Sequence, residues 1–224
     1  MMRSDPHPTS ARVVLRPIGS PLPLGLLALF IGSLLLSAVQ SRWFVPTHSH
    51  VVAIAVLAIV VPLQLLGCVL GLLDRDPSFG AGMGVLSGTW AAIGVSTLVT
   101  APGRVSAGLG VVLVVAAGAL LVPAAGAAGK AVLAVVVTGA AARFAISGGY
   151  ELTGSPAWAH ASGIAGVVVA ALAAYGALAF ELEATVGRAI LPIGRTGQSR
   201  RAVSGRLDYQ TADLAREPGV RKQL

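Results

Sequence analysis

Charge is what this sequence has least of. Asp, Glu, Lys and Arg together make up 11% of the 224 residues, whereas hydrophobic residues make up 55%. A soluble domain carries about 25% charged residues, so this composition excludes an ordinary soluble protein. The apolar residues fall into long runs, each of a length that can cross a bilayer as a helix. The composition therefore predicts an all-α, polytopic membrane protein.

The sequence also lacks the residue patterns of enzymes and metal proteins. Its single cysteine, Cys68, lies inside an apolar run and forms neither a disulfide framework nor a cysteine-based metal site. His48 and His50 lie in a predicted loop without further ligands. No nucleophile with a nearby base and no phosphate-binding loop stands in a plausible context. We predict no enzyme activity, no cofactor and no metal, and we see no cleavage pattern of a secretory signal.

Six apolar runs predict six transmembrane helices in a compact bundle. The predicted spans are Leu22–Val39, Val51–Leu73, Phe79–Thr100, Val105–Val122, Ala131–Gly148 and Ala157–Leu182. Lys130 is the only charge between the fourth and fifth spans. If these two runs formed one kinked helix, the number of spans would be odd and the termini would lie on opposite sides.

The basic residues indicate how the bundle is oriented. With six spans, thirteen of the 16 basic residues lie on the side of the termini and three on the other, which fits both termini being cytoplasmic in a cell membrane. The larger group is Arg3, Arg12, Arg16, Arg75, Lys130, Arg188, Arg195, Arg200, Arg201, Arg206, Arg216, Arg221 and Lys222, and the smaller is Arg42, Arg104 and Arg143. We predict a cytoplasmic tail over residues 1–19, a six-helix transmembrane domain over 20–194 and a basic, flexible cytoplasmic tail over 195–224.

The net charge of +7 comes mostly from that C-terminal tail and favours contact with anionic membrane lipid. Nucleic acid is not a predicted partner, because no aromatic residues are interleaved with the scattered basic residues.

The first span begins at Ser20-Pro21-Leu22-Pro23-Leu24-Gly25-Leu26. Prolines are tolerated at a helix start, where their missing N–H groups have no partner anyway, and Ser20 is a natural N-cap in front of them. Free amides and the positive end of the helix dipole would suit a carboxylate there. The alternative is a helix start with no further role.

A few residues inside the spans suggest packing or a pathway. Pro62 should kink the second span, and Gln64 beside it should face the interior, either as a staple between helices or as a pathway residue. Gly67 and Gly71, and Gly80, Gly84 and Gly88, form small-residue faces that predict close helix packing.

Three charged residues near the spans also carry expectations. Arg143 lies about 20 Å along the fifth span, so we expect it to snorkel to the outer surface. An outer vestibule that attracts anions is the alternative position for it. Glu181 and Glu183 end the sixth span and should be wetted on the cytoplasmic side.

Three separated motifs resemble those of the acetate uptake transporter family, the succinate–acetate permease group. The segment Ser20–Leu26 resembles the family signature Asn-Pro-Ala-Pro-Leu-Gly-Leu, and Pro77-Ser78-Phe79-Gly80-Ala81 is similar to Gly-Asn-Thr-Phe-Gly before the third span. Gly187-Arg188-Ala189-Ile190-Leu191-Pro192-Ile193-Gly194 resembles the family ending Gly-Arg-Thr-Val-Leu-Pro-Leu/Ile-Gly. Gln64 and Tyr175 extend the resemblance across nearly the whole membrane region.

The resemblance implies a hexamer of six-helix protomers, each with its own pathway for small monocarboxylates such as acetate, and in some members succinate, and transport coupled to protons. The residues it places on the pathway are Ser20, Pro21, Pro23, Leu24, Gly25, Leu26, Leu29, Gln64, Ser87, Trp90 and Val137. The family narrows its pathway with a Phe, a Tyr and a Leu, which correspond to Leu29, Ser87 and Val137 here. All three residues are smaller, so we expect a wider and less selective passage unless Trp90 or Met83 fills the gap.

The spans contain no Asp or Glu at mid-depth, so they lack the carboxylate relay of many proton-driven carriers. Either the substrate carries its own proton, and transport works best in acid, or the ion passes along helix-start amides and the hydroxyls of Ser20, Ser87 and Thr89. Two other functions remain open: a channel for small neutral solutes such as urea, amides or ammonia, and a non-transporting oligomeric membrane protein.

Overall fold

The described part of the chain folds into six long helices and one short one. The computed structural model describes residues 19–202, with the side chains of 198, 201 and 202 excepted. The helices are α1 Leu22–Gln40, α2 Pro46–Leu73, α3 Pro77–Val99, α4 Ala107–Gly129, α5 Ala131–Thr153, α6 Pro156–Val186 and the short α7 Gly197–Ala202. The first six are long and apolar enough to cross a membrane. The all-α fold and the six predicted spans are confirmed, and the chain is a multi-pass membrane protein.

The fourth and fifth apolar runs are separate helices. A 3₁₀ turn, Ala127–Gly129, ends α4, and Lys130 then takes a non-helical backbone conformation with φ −130° and ψ 82°. This break lets α5 fold back beside α4, against which it packs. The alternative of one fused span is therefore wrong, and α1 begins at the same end of the bundle at which α6 ends.

The six helices form a closed ring. Each helix packs against the next one along the chain, and α6 packs against α1. We call the end where α1 begins and α6 ends the tail end, and the opposite end the loop end. A single cluster of buried side chains, with members such as Leu26, Leu29, Trp90, Val137 and Phe144, fills the middle of the ring.

The second span is irregular just before its proline. Residues Val56–Val60 form a π-helical turn, and regular α-helix resumes from Val61 to Leu73. Pro62 has no N–H to donate, so the regular ladder of hydrogen bonds cannot continue through it. The π turn is where the chain accommodates this loss, at the position where the sequence predicted a kink.

Large apolar side chains stay exposed on the outside of the ring. Examples are Leu65 and Leu66 on α2 and Val115 and Val122 on α4, all more than 40% exposed. Such a surface is expected for helices that face lipid or another copy of the chain.

The small-residue faces bring α2 and α3 together, as predicted, except at one glycine. A Cβ added at Gly71 would lie 3.2 Å from the backbone of Gly80 and 2.6 Å from the Phe79 ring, whereas one added at Gly88 would meet nothing within 4 Å. Gly71→Ala should therefore destabilise the fold by about 1–3 kcal/mol through overpacking. Gly88→Ala should leave stability unchanged or slightly higher, because Ala favours helix. Thermal unfolding in detergent measures both, and equal melting temperatures would contradict the close packing.

Candidate functional site: a polar column inside the ring

The loop end of the ring holds a vestibule that all six helices line. It is a cavity of about 280 Å³. Its polar lining comes from Gln40, Arg42, Ser49, Ser96, Thr97, Thr100, Arg104, Ser106, Tyr150 and Glu151. Glu151 Oε2 accepts a hydrogen bond of 2.7 Å from the backbone amide of Ser106, so this carboxylate is held against the start of α4. Arg42 and Arg104 are exposed and give the entrance two positive charges.

Three polar side chains at the base of the vestibule bind one another. Ser162 donates to Gln40 Oε1 at 2.8 Å, the hydroxyls of Ser147 and Ser162 are 2.5 Å apart, and Gln40 Nε2 donates to Ser147 Oγ at 3.3 Å. Ser147 and Ser162 are fully buried. The three side chains link α1, α5 and α6 and continue the polar lining of the vestibule into the bundle.

Deeper in the ring lies a buried arginine. Arg143 stands 12 residues after Ala131, the first residue of α5, or about 18 Å along the axis. Its Nη2 donates to the backbone oxygen of Ser33 at 3.2 Å, and Ser37 Oγ donates to the same oxygen at 2.7 Å. Together with Gln40, Ser147 and Ser162, the residues Ser33, Ser37 and Arg143 form what we call the polar column, which runs from mid-depth to the vestibule.

The prediction that Arg143 snorkels to the surface is wrong, because its side chain is only 1% exposed. It points into the ring, where its guanidinium carbon lies 5.3 Å from the centre of the Trp90 ring and 5.9 Å from that of Phe144. Gly166 makes this position available, since a Cβ there would lie 2.5 Å from Arg143 Nε and 2.0 Å from Ser37 Oγ. Distance along the span could not show which face of α5 the side chain occupies.

Several donors around Arg143 have no partner. Within residues 19–202, the buried polar atoms without a hydrogen bond include Arg143 Nε and Nη1, Trp90 Nε1 and Ser33 Oγ. Both polar atoms of Gln64 are also unpartnered, and its side chain is fully buried. Sequence reasoning placed Gln64 in the interior but missed Ser33 and the depth of Arg143. An ionisable residue at mid-span is the signal that should have pointed there.

The interior of the ring at the tail end is mostly apolar, with the buried amide of Gln64 as an exception. Leu26, Leu29, Met83 and Val137 are at most 2% exposed and belong to the common core, together with Trp90, which is fully buried. Of the predicted pathway residues, the structure thus brings Leu26, Leu29, Trp90 and Val137 into one cluster. Trp90 and Met83 fill the interior, so the condition for a wider passage is not met in this structure.

Two of the three hydroxyls that were predicted to line an anion route donate to backbone oxygens. Ser87 Oγ donates to the backbone oxygen of Val61 at 3.0 Å, and Thr89 Oγ1 donates to that of Val85 at 2.7 Å. Both residues are 4% exposed. The unpartnered donors in the described interior lie instead at Arg143, Trp90, Ser33 and Gln64.

The start of α1 differs in detail from the prediction. Pro21 is its N-cap, no side chain caps it, and the predicted capping role of Ser20 is therefore wrong. The helix begins at the prolines, as predicted, and Gly25 N donates to Pro21 O at 3.2 Å. The two prolines leave Leu22 and Leu24 as the free amides of the first turn. Gly25 is buried where a Cβ would lie 2.6 Å from Met83 and 2.7 Å from Phe79, so here α1 and α3 are in contact.

The segment after α6 packs against the tail end of the ring. Arg195 binds Glu183 through both carboxylate oxygens and donates to Ser199 Oγ at 2.9 Å. Glu183 is 8% exposed, so the expectation that it is wetted is wrong, whereas Glu181 is exposed as predicted. Thr196 N donates to Gly129 O at 3.0 Å, which ties the chain to the turn between α4 and α5. The first residues of the predicted C-terminal tail therefore pack on the bundle, while residues 1–18 and 203–224 lie outside the described ones.

A solved structure has the same fold. The bacterial acetate channel SatP is similar over 79% of this chain and 99% of that chain, with a TM-score of 0.62 and 24% sequence identity. At that identity the likeness shows the fold alone. No family model matches this sequence. No curated protein matches it either.

Proposed function

We propose that this protein is a membrane channel or transporter for small monocarboxylates such as acetate. The observation that carries the proposal is the polar column, which leads from the vestibule to Arg143 at mid-depth inside a closed ring of helices. A structural membrane protein has no need of a buried arginine with unpartnered donors, since such a group is costly in a bilayer. The protein shares its fold with a solved structure that is named as an acetate channel, and this supports acetate as the proposed substrate.

The two halves of the ring would act differently on a carboxylic acid. Arg42 and Arg104 would draw the anion into the vestibule, because a lined cleft concentrates ions of the opposite charge. The apolar half at the tail end would pass the neutral acid far more readily than the ion, since a bare charge is expensive in apolar surroundings. We therefore also propose proton linkage, with the substrate's own carboxyl carrying the proton.

The assembly and the orientation are part of the same proposal. The exposed apolar faces of α2 and α4 would be covered by lipid and by further copies of the chain, in a hexamer as the sequence resemblance implies. Both termini would be cytoplasmic in the cell membrane, because the basic residues lie mostly at the tail end. The predicted pathway role of Ser20, Pro21, Pro23, Leu24 and Gly25 would then belong to the cytoplasmic mouth.

Purified protein in liposomes should take up labelled acetate in a saturable manner that empty liposomes lack. Uptake should be faster with pH 5 outside than with pH 7 outside, because a carboxyl of pKa about 4.3 is almost fully ionised at pH 7. Labelled urea serves as the test of the neutral-solute channel. Urea flux without acetate flux would favour that alternative, and the absence of any flux would leave the non-transporting alternative.

A further inference from the structure

We infer that Arg143, Trp90 and Ser33 form a binding site for one small monocarboxylate in its ionised form, at mid-depth in the ring. The inference rests on the proposed function and names the form of the substrate that is held there. Trp90 was predicted on the pathway from the sequence, but its grouping with Arg143 and Ser33 was not.

The three residues offer donors and few acceptors. A guanidinium has five N–H groups, of which those on Nε and Nη1, three in all, have no partner here. The indole Nε1–H of Trp90 and the hydroxyl of Ser33 are also unpartnered. Arg143 contacts both residues, since its Nη2 binds the Ser33 backbone oxygen and its guanidinium carbon lies 5.3 Å from the centre of the Trp90 ring. Unpaired donors around one positive charge call for an acceptor that carries negative charge.

The chain itself supplies no such acceptor in its described part. The charged side chains buried there are Arg143 and Glu183, and Glu183 is paired with Arg195 at the tail end. A buried charge without a counter-charge is strongly unfavourable, so the ring is most stable when an anion enters. A carboxylate fits best, because its two oxygens match the planar fork of a guanidinium.

The single charge also argues for a monocarboxylate. Within residues 19–202, Arg143 is the only cation among the buried side chains, so the second carboxylate of a dicarboxylate such as succinate would have no partner at this depth. Gly32 and Gly166 pack closely against this site. A Cβ at Gly32 would lie 3.0 Å from the Trp90 ring, and a Cβ at Gly166 would lie 2.5 Å from Arg143 Nε. The polar column links this position to the vestibule through buried, hydrogen-bonded side chains, which would have to part for the anion to enter.

Trp90 can report on the site. Replacing Trp43 and Trp158, which are 58% and 43% exposed, by Phe leaves Trp90 as the single tryptophan. Titration of this protein in detergent with acetate at pH 7 and constant ionic strength should give a saturable change in Trp90 emission. Acetamide, which has nearly the same shape without the charge, should give none. Arg143→Met should lower the affinity for acetate on the order of tenfold or more, because charge-assisted hydrogen bonds are lost.

Further variants and ions separate the explanations. Arg143→Lys should keep part of the affinity and Ser33→Ala should lower it several-fold, with the oligomer peak on size exclusion unchanged in both. An equal response to acetamide and acetate, or full affinity in Arg143→Met, would overturn the site. Equal affinity for nitrate, chloride and acetate would overturn its assignment to carboxylates. Acetate binding that depends on Arg143, without acetate flux in liposomes, would support the site and contradict the proposed function. Acetate flux that is unaffected by Arg143→Met would support the proposed function and contradict the site.

Discussion

Arg195→Met should be the most destabilising change at the tail end, lowering the free energy of unfolding by about 3–5 kcal/mol. Arg195 binds Glu183 with Nε at 2.9 Å from Oε1 and with Nη2 on Oε2, and its guanidinium carbon lies 5.8 Å from the centre of the Phe180 ring. The loss of Arg195 would leave the carboxylate of Glu183 without its counter-charge, on a side chain that is only 9% exposed. Denaturant or thermal unfolding in detergent measures the effect.

Two further variants test the reason for that loss. Glu183→Gln combined with Arg195→Met removes both charges and should recover much of the stability, because no unpaired charge stays buried. Arg188→Met, an exposed arginine on the same segment, should change stability by no more than about 0.5 kcal/mol. Equal free energies of unfolding for Arg195→Met and Arg188→Met would show that the Arg195–Glu183 ion pair does not stabilise the tail end.

Trp90→Ala should change both stability and selectivity. Trp90 is fully buried, and its ring lies edge-on to Phe144 with 5.6 Å between ring centres. Its truncation should cost about 3–5 kcal/mol of stability, because a cavity remains in the core. If the protein transports monocarboxylates, that cavity should raise the rate of butyrate uptake relative to acetate. Competition between labelled acetate and unlabelled butyrate in liposomes measures the change.

Trp158→Ala is the matched control, because Trp158 is 43% exposed at the loop end of α6 and should affect neither quantity strongly. An unchanged acetate-to-butyrate ratio in a folded Trp90→Ala protein would show that Trp90 does not limit the size of the substrate. The substitutions Leu29→Phe and Ser87→Tyr, which introduce the bulky residues that the acetate uptake transporter family has at these positions, should overpack an interior that Trp90 and Met83 already fill.

The architecture could be predicted because its signals are local. A run of about 20 apolar residues has few alternatives to a membrane helix, since every backbone polar group in lipid must be bonded within its own segment. Prolines at a helix start and the break at Lys130 are likewise settled by neighbours in sequence. These features led to the correct number of spans, although α4, α5 and α6 end four to seven residues later than predicted.

Tertiary structure alone decided which side chains face one another. Arg143 was expected at the surface and Glu183 in water, yet α1, α3 and α6 surround the first and Arg195 covers the second. The rotation of a helix about its axis is set by packing against helices that are distant in sequence, and an apolar span with a weak preference for one face does not encode it. For this reason composition, span number and helix starts followed from the amino acids, whereas the polar column required the assembled ring.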